Sequence, residues 1–316
     1  MTALDFERVH AAAWAELESL CRRDIRTLEP ARFLALYRLG CEQLALAQAR
    51  GFPDHVVLRL ADLTSRAHQI VYRQTDFGPK RIAHVLMRRF PAMVRAHRRY
   101  VAAAALLLCL PAIALGAAVY LRPGLILSVV DQATATSFER MYSPSAHSIG
   151  RIRSAASNWQ MFGFYIQNNI GIAFQSYVGG ILFGLGSLFY LVSNGAFMGA
   201  VAGYVANRGL AGTFFPFVAT HSAFELTALV LCGAAGLRLG TAVLLPGRRG
   251  RLQALQAAAR DTSVIVFGAA VMLVIAAVLE AFWSSAPWVD PRAKYVCASF
   301  CWSLVALFFL KGRHAD

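Results

Sequence analysis

His221 and Glu225 stand four residues apart in the stretch HSAFE, so on a helix they project from one face. An imidazole and a carboxylate at that spacing can relay a proton, supply two ligands to a metal ion, or hydrogen-bond each other and a neighbouring helix. Asn168, Asn169 and Asn194 lie in the same apolar block, Phe162 to Gly240. In lipid each such side chain costs free energy unless another part of the protein satisfies it. Together these five form the candidate intramembrane polar core. A structural lock, a proton or ion pathway and a metal site all remain open. A zinc site takes three or four ligands, and no third candidate lies close in sequence. Ser222 follows the histidine, so the metalloprotease pattern H-E-x-x-H is absent. No phosphate loop, nucleophile elbow or paired catalytic carboxylate occurs. The chain is therefore expected to have no catalytic residues, no metal and no cofactor, and not to be an enzyme. Glu280 is expected at the membrane interface at the outer end of the fifth span, and Arg238 to snorkel near the cytoplasm.

The elements that must position these residues are membrane helices. Of 316 residues 57% are hydrophobic and only 15% charged. Residues 1–100 hold 17 Lys+Arg and 10 Asp+Glu, which leaves 14 and 7 for the rest. The net charge of +14 is assigned to cytoplasmic loops rather than to nucleic acid, because the arginines flank apolar runs. The six cysteines include no C-x-x-C. Cys297 and Cys301 are read as small apolar helix residues. The start, MTALDFERVH, has no basic stretch leading into an apolar one, so no cleavable leader is expected.

The fold class expected is all-α: a polytopic helical membrane protein of about six spans with an N-terminal cytoplasmic helical bundle. Amphipathic periodicity predicts helices over 4–27, 30–50, 54–73 and a basic one over 80–99, kinked at Pro91, forming a bundle over 1–99. The transmembrane domain is 100–316, with spans at 101–121, 164–187, 188–206, 213–245, 262–283 and 295–310. An amphipathic segment, 122–160, is expected along the outer surface. Arginines before the first span, GRRGR at 247–251, and Lys311, Arg313 and His314 place both termini in the cytoplasm. Asn168-Asn169 and Asn194-Gly195 are candidate breaks or re-entrant pieces. The spacings Gly180-x-x-x-Gly184, Gly195-x-x-x-Gly199-x-x-x-Gly203 and Gly236-x-x-x-Gly240, with Gly179, predict close helix packing, within the chain or in a homodimer.

These residues resemble the stage II sporulation protein M family of bacterial membrane proteins. The segments that carry it are Asn168-Asn169 with Phe174 and Gly179-Gly180, Leu191 to Gly195 with Gly199, His221 to Leu226, and Ala235 to Gly240. The N-terminal part is similar to the extended, non-sporulating branch through Leu36-Tyr37-Arg38, Leu46 to Arg50, and Ser65 to His68 with Tyr72. One departure is Ser222, where family members commonly have glycine. The resemblance implies a bacterial inner-membrane scaffold, without catalysis of its own, that assembles cell-envelope partners. These would be other envelope membrane proteins or a MoxR-type ATPase system, besides lipids. The alternative is a transporter or channel whose path runs through the polar core. A third reading, a metal-dependent intramembrane hydrolase, has no motif behind it.

Overall fold

The computed structural model describes residues 2–22, 29–71, 78–144, 158–286 and 288–310. Tyr72, Arg151, Arg153, Lys311, Arg313 and His314 lie outside them. Every regular element among the described residues is helical. The chain forms two compact units, Met1–Arg81 and Ile82–Asp316.

The first unit holds α1 (Ala3–Cys21), α2 (Pro30–Ala49) and α3 (Asp54–Val71). The Thr2 hydroxyl caps α1 by accepting the Asp5 amide, and Pro30 fits the first turn of α2, where its missing N–H costs nothing. Phe6, Trp14, Leu17, Phe33, Leu36, Leu60 and Leu63 close the core. Inside it the Trp14 indole N–H donates to Gln43 Oε1 at 2.5 Å, and Gln43 Nε2 meets His10 Nδ1 at 2.9 Å.

The chain enters the second unit through α4 (Pro79–His84), a π turn (Val85–Arg89) and α5 (Phe90–Ala96). Pro91 has no N–H to offer the helix, and the Phe90 amide reaches back five residues to the Val85 carbonyl. Phe90 is buried beneath Gly268 and against Phe308 and Phe309. The expected boundary at 99/100 is thereby moved to 81/82. The basic segment contributes an apolar anchor to the membrane unit instead of a fourth helix to the bundle.

Next come α6 (Arg98–Leu121), a 3-10 turn (Pro123–Ser128), α7 (Gln132–Tyr142), α8 (Asn158–Val178) and a 3-10 turn (Gly179–Ile181). They are followed by α9 (Leu185–Asn207), α10 (Ala211–Leu244), α11 (Arg251–Val278) with a terminal π turn (Leu279–Ser284), and α12 (Pro291–Leu310). Five are long and apolar enough to cross a membrane: α6, α9, α10, α11 with its π turn, and α12. The more polar α8 has 21 residues, about 32 Å of helix, and runs antiparallel to α9. Ser187 Oγ donates to the Ser176 carbonyl at 2.6 Å beside their junction.

That junction lies at 179–184 rather than near 187. Gly184 turns the chain at φ +84°, with Phe183 at +54°. The two asparagine sites expected to break helices do not. Asn194 Nδ2 donates to the Tyr190 carbonyl one turn back, at 2.7 Å, and Asn168 Nδ2 donates to Asn169 Oδ1 at 3.0 Å. Side-chain amides satisfied this way leave the helical ladder intact.

Glycines set the closest helix approaches. A Cβ at Gly195, Gly199 or Gly203 would collide with the backbone of Leu108, Ala112 or Gly116 on α6. Both sets advance by four residues, so α6 and α9 run parallel in a tight seam. Gly180 and Gly184 belong to the turn, not to one helix face. They meet Gly236 and Gly240 on α10. These stripes are used within the chain.

Candidate functional site

The membrane unit brings α8, α9, α10 and the π turn of α11 around a polar interior. Glu225 lies 14 residues into the 34-residue α10, about 21 Å from its start. His221 is buried one turn earlier, its ring edge-on to Phe217. The two do not share the direct hydrogen bond that their spacing allows. His221 Nε2 stands 3.7 Å from Glu225 Oε2, beyond hydrogen-bond range. His221 Nδ1 instead meets Ser284 Oγ at 3.1 Å, on the π turn.

Glu280 sits on that same π turn, near the end of the helix, and is buried within the protein. One ligand-type atom from each of His221, Glu225 and Glu280 lies within 4.8 Å of the other two. A third carboxylate-or-imidazole group therefore exists, 55 positions further along the chain than Glu225. The π turn is held from α12: Lys294, itself buried, donates to the carbonyls of Ser284 and Ala286 at 2.8 and 2.9 Å. Thr220 Oγ1 in turn donates to the Lys294 carbonyl at 3.2 Å, tying the clamp to α10 beside His221.

Two cavities meet at this point. One, of about 140 Å³, is lined by Asn168, Asn169, Asn194 and Glu225, with Ile172, Phe197, Met198, Leu226, Leu229 and Leu273. The other, of about 190 Å³, shares Asn168, Asn169 and Glu225 and adds Glu280, Tyr165, Phe217 and, from α7, Phe138, Met141 and Tyr142. Adjacent residues on a helix lie about 100° apart, so both asparagines cannot face inward. Asn169 is buried, while Asn168 is more exposed and lines the edge of both cavities. Asn169 Nδ2 is buried and has no hydrogen-bond partner among the described residues. The hydroxyl that distinguishes Ser222 from glycine donates to the Ala219 carbonyl in its own helix and leaves the site unchanged.

α7 covers one end of this space. Tyr142 packs edge-on to Phe214 and Phe217. Glu139 accepts from Tyr204 Oη at 2.5 Å and pairs with Arg208 Nε at 3.0 Å, which latches α7 to the end of α9. Arg238 lies apart from the chamber, in a cleft with Arg248, Arg249 and Asp261. Glu280, Ser284 and Lys294 were missed from sequence. The available signal was the i, i+4 pair Glu280 and Ser284, which mirrors His221 and Glu225.

Comparison with known proteins bears on both units. The family model described as stage II sporulation protein M matches residues 104–285. A model described as a domain of unknown function (DUF8413) matches residues 4–73. No curated protein and no solved structure matches.

Proposed function

The chain belongs to the stage II sporulation protein M family, and on that premise we propose that this multi-pass membrane protein accepts and passes a proton or small cation through its polar chamber. The observation that carries this reading is the position of Glu225. It borders two adjoining cavities together with Asn168 and Asn169, where a purely structural pair would be enclosed in dry helix contacts. A carboxylate at membrane depth beside open space is how ion and proton paths are built. The test is flux into liposomes of the purified protein. Wild type is expected to pass protons or a monovalent or divalent cation, with Glu225→Gln lowering the rate at least about tenfold, the scale of one lost charged site. A wild-type protein that moves none of these ions ends the reading.

A second reading, assembly of envelope partners, is favoured by the first unit. Its three helices close a core of their own and present a charged surface. Recovery of the protein from mild detergent with a reproducible partner, lost when that surface is altered at Arg32 and Arg66, supports assembly. Recovery of the protein alone under every growth condition counts against it. The location we propose is a bacterial inner membrane with both termini in the cytoplasm.

A further inference from the structure

We propose that His221, Glu225 and Glu280 together bind one divalent transition-metal ion, with Zn²⁺ as the ion that fits. The donors are of the right kind: one imidazole nitrogen and two carboxylate oxygens. Their separations are right as well. Two ligands about 2.0–2.2 Å from a tetrahedral zinc lie roughly 3.3–3.6 Å apart. His221 Nε2 and Glu225 Oε2 are 3.7 Å apart, and Glu280 closes the triangle within 4.8 Å. Movements of a few tenths of an ångström to about one ångström complete the site.

Charge points the same way. Two carboxylates that approach each other in a low-dielectric interior repel, and a cation between them offsets that repulsion. The surroundings are those of a metal-ligating histidine. In the tautomer that carries its proton on Nδ1, His221 donates to Ser284 Oγ, which leaves the Nε2 lone pair for a metal ion. Lys294 fixes the backbone of that serine. Independently, Asn169 lines the cavity that Glu225 and Glu280 border, and its buried Nδ2 has no acceptor among the described residues. A water in the fourth coordination position gives that amide its acceptor. Glu280 and Ser284 also sit on a π turn, an irregularity that helices use mostly at functional sites.

The metal would be the cation of the chamber, so its identity rests on the reading proposed above, but binding and passage are measured separately. The full-length protein in detergent, stripped with chelator and dialysed against Zn²⁺, is expected to take up one zinc per chain by elemental analysis. X-ray absorption of that sample should show one imidazole and otherwise oxygen, with no sulfur. Glu280→Gln and Glu225→Gln should each weaken uptake about 100-fold or more, while His97→Ala, a histidine outside the cluster, should leave it within about threefold. Failure of wild type to hold stoichiometric zinc overturns the site, as do sulfur ligation or a Glu280→Gln variant that binds like wild type. If the variants do not elute as folded protein, the wild-type absorption spectrum decides alone. Proton flux without zinc binding keeps the chamber and removes the metal. Zinc binding without flux of any ion keeps the metal and removes conduction.

Discussion

Lys294 is 2% exposed and bonds two backbone carbonyls at the end of the π turn, one of them belonging to the serine that orients His221. Lys294→Met keeps the volume and removes both donors. Buried carbonyls left without partners cost about 1–3 kcal/mol, so thermal unfolding in detergent should shift down accordingly. Zinc affinity should fall with it, because Ser284 loses its anchor. In the first unit the Trp14 indole has a single buried acceptor in Gln43 Oε1. Gln43→Ala should destabilise that unit by about 1–3 kcal/mol, read from tryptophan fluorescence during denaturation. An unchanged midpoint would show that water takes the place of the amide. At this scale the five expected polar residues were visible as types, but not their partners. Ser284 reaches His221 across 63 positions of sequence, and nothing in local spacing reports such a pairing.

Among the elements, the α6–α9 seam depends on missing side chains. A Cβ at Gly199 meets the Ala112 carbonyl, which cannot move without its helix. Gly199→Ala should therefore cost about 1–3 kcal/mol through overpacking, and Gly199→Val more, by the same unfolding measurement. The turn between α8 and α9 carries a different constraint. Gly184 at φ +84° is left-handed, so Gly184→Ala should cost roughly 1–2 kcal/mol from backbone strain. Equal stability of the alanine variant would show that the turn adopts another conformation. The cover over the chamber should be sensitive to acid. The backbone amide of Thr134, bonded to Asp131 at the start of α7, holds that carboxyl below its ordinary value of 3.8. A depressed carboxyl favours the folded cap above its ordinary pKa and loses that contribution as pH falls through the folded one. Protection of α7 amides against hydrogen exchange should weaken as pH drops below about 4, and Asp131→Asn, which caps without a charge, should remove the dependence.

For the molecule as a whole, counting α8 as a crossing beside the five helices long and apolar enough to span a membrane would give an even number of passages. Such a chain returns to the side on which it began. From the excess of Arg and Lys before α6 we propose that this side is the cytoplasm. Reporter fusions at the two termini should give cytoplasmic activity at both, and an impermeant thiol reagent should leave Cys21 and Cys41 unlabelled in intact cells. Labelling of either cysteine would invert the assignment. A homodimer, if one forms, must use a surface other than the Gly195–Gly199–Gly203 stripe, because α6 occupies it.

Sequence alone determined the class of the chain, an all-α polytopic membrane protein: apolar runs of membrane length, arginines at their ends, a charged amphipathic third before them, and His221 one turn from Glu225. These are local properties, and hydropathy and helical period report them directly. Tertiary structure decided what those residues face. It set the turn at Gly179 to Gly184, drew Phe90 into the membrane unit, and brought a ligand-type atom of Glu280 within 4.8 Å of His221 and Glu225. Each outcome depends on which helices pack together. That pairing is set by contacts between residues tens of positions apart, which no window of local sequence contains.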